Sequence, residues 1–282
     1  MESLNLPTSV DWFSGLIVPI AITIIAGIIV KIAEGKVNSS KGLGFIVGVL
    51  VCVAIFVLLW YNLIGAVYFL RGQSVEATKG CQGAVPLYEK AVSWNPKLIG
   101  ARHQLVYCMI VLNRASDLVP ILEPLDALLF DSPHYWQDLA LTYYAIGDYD
   151  EMAHSVGRSA DLDPENSDWI TTLGERLHRE TKYGEAETVL RIVRTHNDDD
   201  GLAVFWLAWA LYEQNKYSDA LYHFEECIVR FDAGHTLGRC HAGKGFALLK
   251  LKRYDDARLA FQQALEIEPN QDDVRTALSQ LP

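Results

Sequence analysis

The same pattern of residues recurs along this sequence at an interval of 34 positions. A leucine, a small residue and a second large residue stand at matching places in three consecutive stretches: Leu139, Ala140 and Tyr143; Leu173, Gly174 and Leu177; Leu207, Ala208 and Leu211. The two large residues of each set are four apart, which places them on one face of an α-helix. Because a pair of amphipathic helices cannot bury its apolar face alone, such repeats must stack to form one continuous core.

The best-matched copy is HYWQDLALTYYAIGDYDEMAHSVGRSADLDPEN, residues 134–166, and it closely resembles a tetratricopeptide repeat (TPR). Members of this family repeat a helix-turn-helix unit of about 34 residues. With Pro133 as position 1, the family's characteristic positions 4, 7, 8, 11 and 32 hold Trp136, Leu139, Ala140, Tyr143 and Pro164. The same register predicts further repeats from residues 167, 201 and, after three extra residues, 238.

Two earlier repeats follow from the same register. One begins at Ile99 and carries Pro124 in its second helix. We expect Pro124 to kink this helix, because proline removes a backbone donor and clashes with the preceding turn. The other begins at Gly65 and places Gly72 on the small eighth position. The predicted soluble fold is therefore an all-α solenoid of about six TPRs over residues 63–271, with repeats beginning near residues 65, 99, 133, 167, 201 and 238, and a capping helix at 272–282.

Two runs without a charged residue precede the repeats. Residues 12–30 form a run of 19 and residues 43–70 a run of 28, and each exceeds the roughly 18 residues typical of a membrane-spanning helix. We predict a two-helix transmembrane hairpin with an N-terminal tail at 1–11, spans at 12–33 and 43–62, and a loop at 34–42. The second span is expected to continue as a helix into the first repeat, and a break at Gly65 or Gly72 is the alternative.

The basic residues around the spans predict their orientation. Lys31, Lys36 and Lys41 lie in or beside the loop, whereas Arg71 and Lys79 follow the second span. Positive charge prefers the cytoplasmic side, which predicts a bacterial-type inner-membrane protein with its repeats on the periplasmic side. The margin of three against two is small, so a cytoplasmic solenoid stays open as the alternative.

The charge of the repeats argues against nucleic acid as a partner. Residues 74–282 carry 20 basic and 32 acidic residues, a net charge of −12, whereas residues 1–73 have a net charge of +1. A surface as acidic as that of the repeats repels phosphate. A protein or peptide partner and the lipid bilayer are expected instead. The GFIVG stretch at 44–48 would allow close helix contact in an oligomer, although glycine is also common filler in membrane helices.

No motif for catalysis or for a cofactor stands out in the sequence, which favours a non-enzyme. The five cysteines, Cys52, Cys81, Cys108, Cys227 and Cys240, lack metal-ligand spacing and are interpreted as small core residues, with one or two disulfides as the alternative. His235 and His241 lie near two of them without matching a zinc pattern. The acidic NDDDG stretch at 197–201 is interpreted as a helix cap rather than a cation loop.

The TPR resemblance implies a concave groove lined by the first helices, where a peptide or helix binds. The residues transferred to that groove are His103, Tyr107, Gln137, Leu141, Tyr144, Thr171, Glu175, His178, Phe205, Trp206, Trp209, Tyr212 and Phe246. Such an aromatic groove suits apolar anchors, although some rings could instead pack against the next repeat or the bilayer. The lysine and asparagine that the family uses to clamp a C-terminal carboxylate are missing from the corresponding positions.

The sequence therefore predicts a membrane-anchored TPR adaptor that binds a polypeptide within a larger membrane assembly. A structural subunit of a stable membrane complex is one alternative. The TPR subunit of cytochrome c maturation, which also has two spans and an external solenoid, is another, but that family has a much longer loop between its spans.

Overall fold

A computed structural model of the chain describes residues 39–282, and within this range the secondary structure is helical, without strands. The longer helices are α1 (Ser39–Trp94), α2 (Ile99–Val111), α3 (Pro133–Ile146), α4 (Tyr149–Leu162), α5 (Asp168–Arg179), α6 (Tyr183–His196), α7 (Gly201–Glu213), α8 (Tyr217–Arg230), α9 (His235–Lys250), α10 (Tyr254–Ile267) and α11 (Asp272–Ser279). From α3 to α10 the helices follow one another in pairs, each pair being one repeat, and α11 follows the last pair. The predicted all-α solenoid of TPR type is confirmed for the described part of the chain.

The predicted membrane segments find no such support. The tail at 1–11, the first span at 12–33 and most of the loop at 34–42 lie outside the described residues. The second span at 43–62 falls within α1, but no helix in residues 39–282 meets the requirements of length and apolar character for crossing a bilayer.

The described residues divide into two compact units, with the boundary between Ala101 and Arg102. In the first, α1 is interrupted at Gly80 (φ 69°, ψ −173°), a conformation open essentially to glycine alone. The segments on either side of Gly80 pack together, because a Cβ on Gly72 would lie 2.5 Å from the Tyr88 ring. Asn95 also donates to the Asn62 carboxamide at 2.8 Å. α1 is thus a helical hairpin whose break lies at Gly80 and not at Gly65 or Gly72.

The second unit begins with an irregular repeat. Its second helix is replaced by four short segments: the 3₁₀ turns Ala115–Asp117 and Glu123–Leu125 and the one-turn helices Val119–Leu122 and Asp126–Leu129. Pro124 lies inside the second 3₁₀ turn, so the predicted kink at this residue is confirmed. The rigid φ and missing N–H of proline explain why a continuous helix does not form here.

The turn between the two helices of a repeat is the same in five successive repeats. One residue there adopts the left-handed conformation: Asn113 (φ 56°), Gly147 (83°), Thr181 (63°), Asn215 (63°) and Lys252 (61°). The next residue then donates its N–H to a carbonyl five residues back, as Lys182 does to Leu177 at 2.9 Å. This hydrogen bond is typical of a Schellman cap, which satisfies a carbonyl at the helix end.

Two helices of a repeat approach most closely at the eighth position. A Cβ on Gly174 would lie 2.6 Å from Leu190 Cδ2, and one on Gly245 would lie 2.5 Å from the ring of Phe261. Gly72 and Tyr88 in α1 form the same contact, and in each case the large residue follows the glycine by 16 positions. Leu190, Phe261 and Tyr88 are completely buried, so this contact lies at the centre of each repeat.

The acidic NDDDG stretch caps a helix, as the sequence indicates. The Asp200 carboxylate accepts a hydrogen bond from the Ala203 N–H at 2.9 Å and so caps the start of α7. Asp198 binds Arg194 of the preceding helix at 2.6 Å. The interpretation of these aspartates as helix-capping residues is therefore confirmed for Asp200.

We predict that Gly174→Ala destabilises the protein by about 1–3 kcal/mol, because the added methyl group overlaps the fully buried Leu190 side chain. Urea unfolding measures this change. Leu190→Ala alone should cost about 2–5 kcal/mol by leaving a cavity. In the double variant the methyl group added at residue 174 partly fills that cavity, so the loss of stability should be smaller than the sum of the two single losses.

Gly157→Ala is the matched control for this substitution. Gly157 lies within α4, and a Cβ there would meet nothing within 4 Å. Alanine should therefore stabilise this helix by roughly 0.5–1 kcal/mol through its better helix propensity. Equal effects of alanine at residues 157 and 174 would contradict the close contact with Leu190.

Candidate polypeptide-binding surface

Five aromatic side chains on α7 and α9 form a continuous array, which we call the aromatic row: Phe205, Trp206, Trp209, Tyr212 and Phe246. Trp209 is at the centre, with ring centroids 6.4 Å from Phe205, 5.7 Å from Tyr212 and 6.5 Å from Phe246. Phe205 and Trp206 are 5.0 Å apart and nearly perpendicular, an arrangement that aromatic pairs favour. All five side chains are partly exposed.

The composition of α7 explains why these rings reach the surface. Its sequence, GLAVFWLAWALYE, has no charged residue before Glu213. The small and aliphatic residues of α7 occupy the core, among them Ala203, Val204, Leu207, Ala208, Ala210 and Leu211. A helix that is apolar on all sides has more apolar surface than its own repeat can bury, so its large rings remain for contact with neighbours or a partner.

The aromatic row has a rigid base. The Trp209 ring packs edge-on against Phe224 at 5.0 Å, and Phe224 is completely buried. A Cβ on Gly243 would lie only 2.2 Å from Phe224, so α9 presses closely on the same ring. Tight packing below the surface fixes the orientation of the exposed ring above it.

A disulfide lies beside this base. Cys227 of α8 and Cys240 of α9 are joined, are completely buried, and form a cluster with Val204 against which Phe205 packs. The interpretation of these two residues as free core thiols is therefore wrong, and the alternative of a disulfide is correct for this pair. Because sulfurs in a disulfide are not thiolates, this pair does not supply zinc ligands.

Three arginines stack on aromatic rings of neighbouring first helices. Arg179 of α5 lies over Trp206 of α7, with 5.9 Å between the guanidinium carbon and the ring centroid. Arg239 of α9 lies 5.5 Å from the Trp209 centroid, and Arg176 of α5 lies 5.8 Å from that of Tyr144 on α3. These are cation–π distances, so guanidinium groups border the aromatic rings, and two of these groups are also paired with carboxylates, Arg179 with Glu175 and Arg239 with Asp273.

Two protein families match parts of the chain. Residues 133–166 match the family described as tetratricopeptide repeat, and residues 181–264 match the family described as anaphase-promoting complex, cyclosome, subunit 3. The first match covers α3 and α4, the pair with the best-conforming sequence pattern. The second unit is accordingly a helical-repeat scaffold of TPR type, and TPR proteins are typically non-enzymatic scaffolds that bind protein or peptide partners.

Similarity to individual proteins is distant. The chain is 30% identical over 97 residues to the RNA polymerase-associated protein CTR9 of Caenorhabditis elegans, a match that covers 34% of this chain and 8% of that relative. YrrB, described as a TPR protein with an unusual peptide-binding site, is 16% identical with a TM-score of 0.46, and the match covers 75% of this chain and 90% of YrrB.

A second solved structure is similar to about the same degree. MamA from Desulfovibrio magneticus RS-1 is 14% identical with a TM-score of 0.44, and the match covers 74% of this chain and 97% of that one. Similarities at this level do not identify a binding partner for this chain.

The other predicted groove residues lie on the first helices of earlier repeats. His103 and Tyr107 are on α2, Gln137, Leu141 and Tyr144 are on α3, and Glu175 and His178 are on α5. Tyr107 is exposed, and the others are partly exposed. Thr171 differs, because it is 5% exposed and its hydroxyl donates to the Asp200 carboxylate at 2.6 Å. It is therefore part of the contact between successive TPRs and does not line an accessible groove.

His103 is held by a buried carboxylate. Asp138 on α3 is completely buried, accepts a hydrogen bond from Arg102 Nε at 2.9 Å, and contacts His103 Nδ1 on its other oxygen. A buried carboxylate requires such partners, because an unpaired charge in the interior is strongly destabilising. His103 thus has a structural role in joining α2 to α3, besides its place in the predicted groove.

His178 lies between two aromatic rings at the edge of the aromatic row. Its ring centroid is 5.3 Å from Trp206 and 5.2 Å from Tyr183. Burial, together with the nearby positive charge of Arg179, lowers the pKa of His178 below its usual value. The imidazole is consequently held neutral at the pH where an exposed histidine begins to titrate.

Sequence reasoning missed the arginines. Arg176, Arg179 and Arg239 were outside the predicted groove set, although each contacts a ring that belongs to that set. Arg179 and Arg239 stand on positions 13 and 2 of their TPRs, which face the groove, so their positions were a usable signal. That each stacks on a ring of an adjacent helix could be known only from the three-dimensional arrangement.

We predict that stability falls as the pH is lowered from about 7 to 5.5. Burial lowers the pKa of His178, His223 and His241. As the pH falls below the unfolded value of about 6.5, the unfolded chain takes up protons that these folded histidines do not accept. Each such proton lowers the free energy of unfolding by about 1.4 kcal/mol per pH unit, at pH values between the folded and the unfolded pKa of that histidine. Thermal melting across the pH range measures the summed effect.

Two substitutions should change the pH dependence of stability in opposite directions. His178→Gln removes one of the depressed histidines and should flatten the fall in stability. The pKa of His196 is raised by a hydrogen bond to the Ile192 carbonyl and, against its partial burial, by Asp161, so His196 stabilises the protein below the unfolded pKa. His196→Gln should therefore steepen the fall. Identical pH profiles for wild type and both variants would contradict these assignments.

Proposed function

We propose that the chain is a membrane-anchored TPR adaptor whose aromatic row binds a polypeptide segment within a larger membrane assembly. The observation that carries this proposal is the aromatic row, whose rings contact one another and keep part of their surface exposed. Rings that are already held in place lose little side-chain entropy on binding, so they are effective anchors for apolar side chains of a partner.

Attachment to a bilayer is proposed from the uncharged runs at residues 12–30 and 43–70, which underlie the spans at 12–33 and 43–62. The described side chains of α1 add support, because large apolar residues form a stripe on its surface. These residues, between 47% and 64% exposed, are Val51, Ile55, Leu59, Leu63, Val67 and Leu70. Their spacing of three or four residues places them on one face of the helix, where they suit an apolar environment.

The repeats are proposed to lie on the extracytoplasmic side. The lysines near the loop between the two proposed spans favour a cytoplasmic loop, which puts the following residues outside. The Cys227–Cys240 disulfide agrees with this compartment, because disulfides persist in oxidising environments and are rare in the cytosol.

The aromatic row should contribute more to partner capture than to folding. We expect Trp209→Ala to weaken capture by at least about 2 kcal/mol, roughly thirtyfold in affinity, because truncation removes a central anchor. Thermal melting and capture from native membranes in mild detergent are measured on the same preparations. A constant stoichiometric companion would indicate a structural subunit, and a varied client set would indicate an adaptor.

Two controls separate binding from folding. Phe224 lies directly under Trp209 and is completely buried, so Phe224→Ala should cost about 3–5 kcal/mol of stability. Tyr222 is 65% exposed on the second helix α8, so Tyr222→Ala should change neither property. If Trp209→Ala melts like Phe224→Ala, Trp209 is a core residue and the aromatic row is not a binding surface.

Topology is tested with reporter fusions and extraction. A fusion after Gly80 should be active outside the cytoplasm and one after Val37 inside, because the loop lysines favour the cytoplasmic face. The full chain should stay with membranes in alkaline carbonate and dissolve only in detergent. Cytoplasmic activity after Gly80 would reverse the proposed orientation, and release by carbonate would remove the bilayer anchor.

A further inference from the structure

The arginines and aromatic rings alternate across four consecutive first helices. From α3 to α9 the order is Tyr144, then Arg176 and Arg179, then Trp206 and Trp209, then Arg239. Every arginine stacks on a ring of an adjacent first helix, with distances of 5.5–5.9 Å. A single cation–π pair is common, whereas a pattern that continues from helix to helix makes one surface with two kinds of contact.

Arginine keeps binding capacity when it is stacked in this way. A guanidinium has five N–H donors at its edge, and contact with a ring uses its face. Arg179 binds Glu175 at 2.6 Å with 71% of its side chain exposed, and Arg239 binds Asp273 at 3.2 Å. Ion pairs in solvent contribute little stability, so a carboxylate of a partner can add to these contacts or replace them.

The positive groups are local exceptions on an acidic protein. The chain has a net charge of −11, yet three basic residues, all of them arginines, stack on the rings of this surface. At physiological ionic strength charges beyond about 8 Å are largely screened, so a partner encounters mainly the local charges, namely the stacked arginines and the carboxylates of Glu175 and Asp273 with which it competes for Arg179 and Arg239.

We propose that this surface selects a polypeptide segment in which apolar side chains are flanked by carboxylates. The apolar side chains contact the aromatic row, and the carboxylates bind Arg179 and Arg239. This inference rests on the proposed function, because it names the chemical class of polypeptide that the aromatic row binds. Arginine is suited to the role because its planar edge matches the geometry of a carboxylate.

The helix order gives the spacing of the two carboxylates. Arg179 and Arg239 lie on α5 and α9, with α7 between them. Axes of packed helices are about 10 Å apart, and both guanidinium groups reach onto rings of α7, so they are separated by at most roughly 20 Å. An extended polypeptide advances about 3.3 Å per residue, which corresponds to about six residues. The preferred segment therefore has two acidic residues at most about six positions apart, with leucine, phenylalanine or similar residues between them.

Three synthetic peptides test this specificity on the full chain in detergent. All contain the same leucine and phenylalanine residues between two variable positions about six residues apart. The variable positions are glutamate in the first peptide, glutamine in the second and lysine in the third. Fluorescence anisotropy of the labelled peptides should show the glutamate peptide binding at least tenfold tighter than the glutamine peptide, which binds tighter than the lysine peptide.

Variants of the protein identify the groups responsible. Arg179→Gln and Arg239→Gln should each weaken binding of the glutamate peptide by about tenfold, the order expected for one charge-assisted hydrogen bond, and leave the glutamine peptide nearly unaffected. Glu175→Gln removes the intramolecular competitor of Arg179 and should tighten binding of the glutamate peptide severalfold. Arg275→Gln is the matched control, because Arg275 forms an exposed ion pair with Asp272 on α11.

The outcomes separate this inference from the proposed function. Equal binding of all three peptides, or tighter binding of the lysine peptide, would overturn the selection of carboxylates while leaving the aromatic row as a binding surface. Binding of none of them would also overturn it, and partner capture by wild type compared with Trp209→Ala then judges the proposed function independently. An equal effect of Arg275→Gln and Arg179→Gln would show that only overall charge matters.

Discussion

In the repeats that carry a glycine at the eighth position, the two helices contact each other too closely for a side chain at that position. In the repeat from residue 167 this contact joins Gly174 and Leu190, and in the last repeat Gly245 and Phe261. The small residue allows the helix axes to approach, and the large residue 16 positions later fills the space at the centre of the pair. Because the contact fixes the two helices face to face, it also determines which residues of the first helix are left on the opposite side. The aromatic row consists of such residues on α7 and α9.

The aromatic row joins local and global packing. Trp209 rests on Phe224, Phe224 is pressed by α9 at Gly243, and Phe205 rests on the cluster that contains the Cys227–Cys240 disulfide. The helix that carries most of the rings is therefore held both by its own pair and by the following repeat. A surface with this support can present large apolar side chains to solvent in fixed orientations, which is the condition for binding with little loss of side-chain entropy.

The spacing of residues in the sequence predicted the repeat register and the kink at Pro124, because both follow from strong local rules for helix packing and for proline. The sequence favoured a helix that continues through Gly65 and Gly72 into the first repeat, with a break at either glycine as the alternative. The structure has the interruption at Gly80, and the packing of Gly65 and Gly72 against the opposite segment shows that they serve close approach. The sequence did not predict left-handed turns at Thr181 and Lys252, whose side chains disfavour that conformation.

In the candidate site, too, some residues could be predicted from the sequence and others could not. The aromatic residues follow from the repeat register, which assigns positions on the first helix. The stacking of Arg179 and Arg239 on those rings depends on side-chain reach between adjacent helices, and the pairing of Cys227 with Cys240 depends on the contact between α8 and α9. Thr171 shows that the repeat register alone can also mislead. Its position faces the groove in the repeat pattern, but here its side chain is buried and hydrogen-bonded to Asp200.

The left-handed turns also reveal where the chain accommodates a change in length. Successive turns are 34 residues apart up to Asn215, and the next, at Lys252, is 37 residues further on. The additional residues do not enter a turn or the second helix of a repeat. They lie within the first part of α9, which has 16 residues where α7 has 13, because the connections before these two helices are of equal length. The longer interval is thus accommodated as roughly one additional turn at the start of a first helix, while the connection before it and the second helix after it keep the lengths found in the preceding repeat.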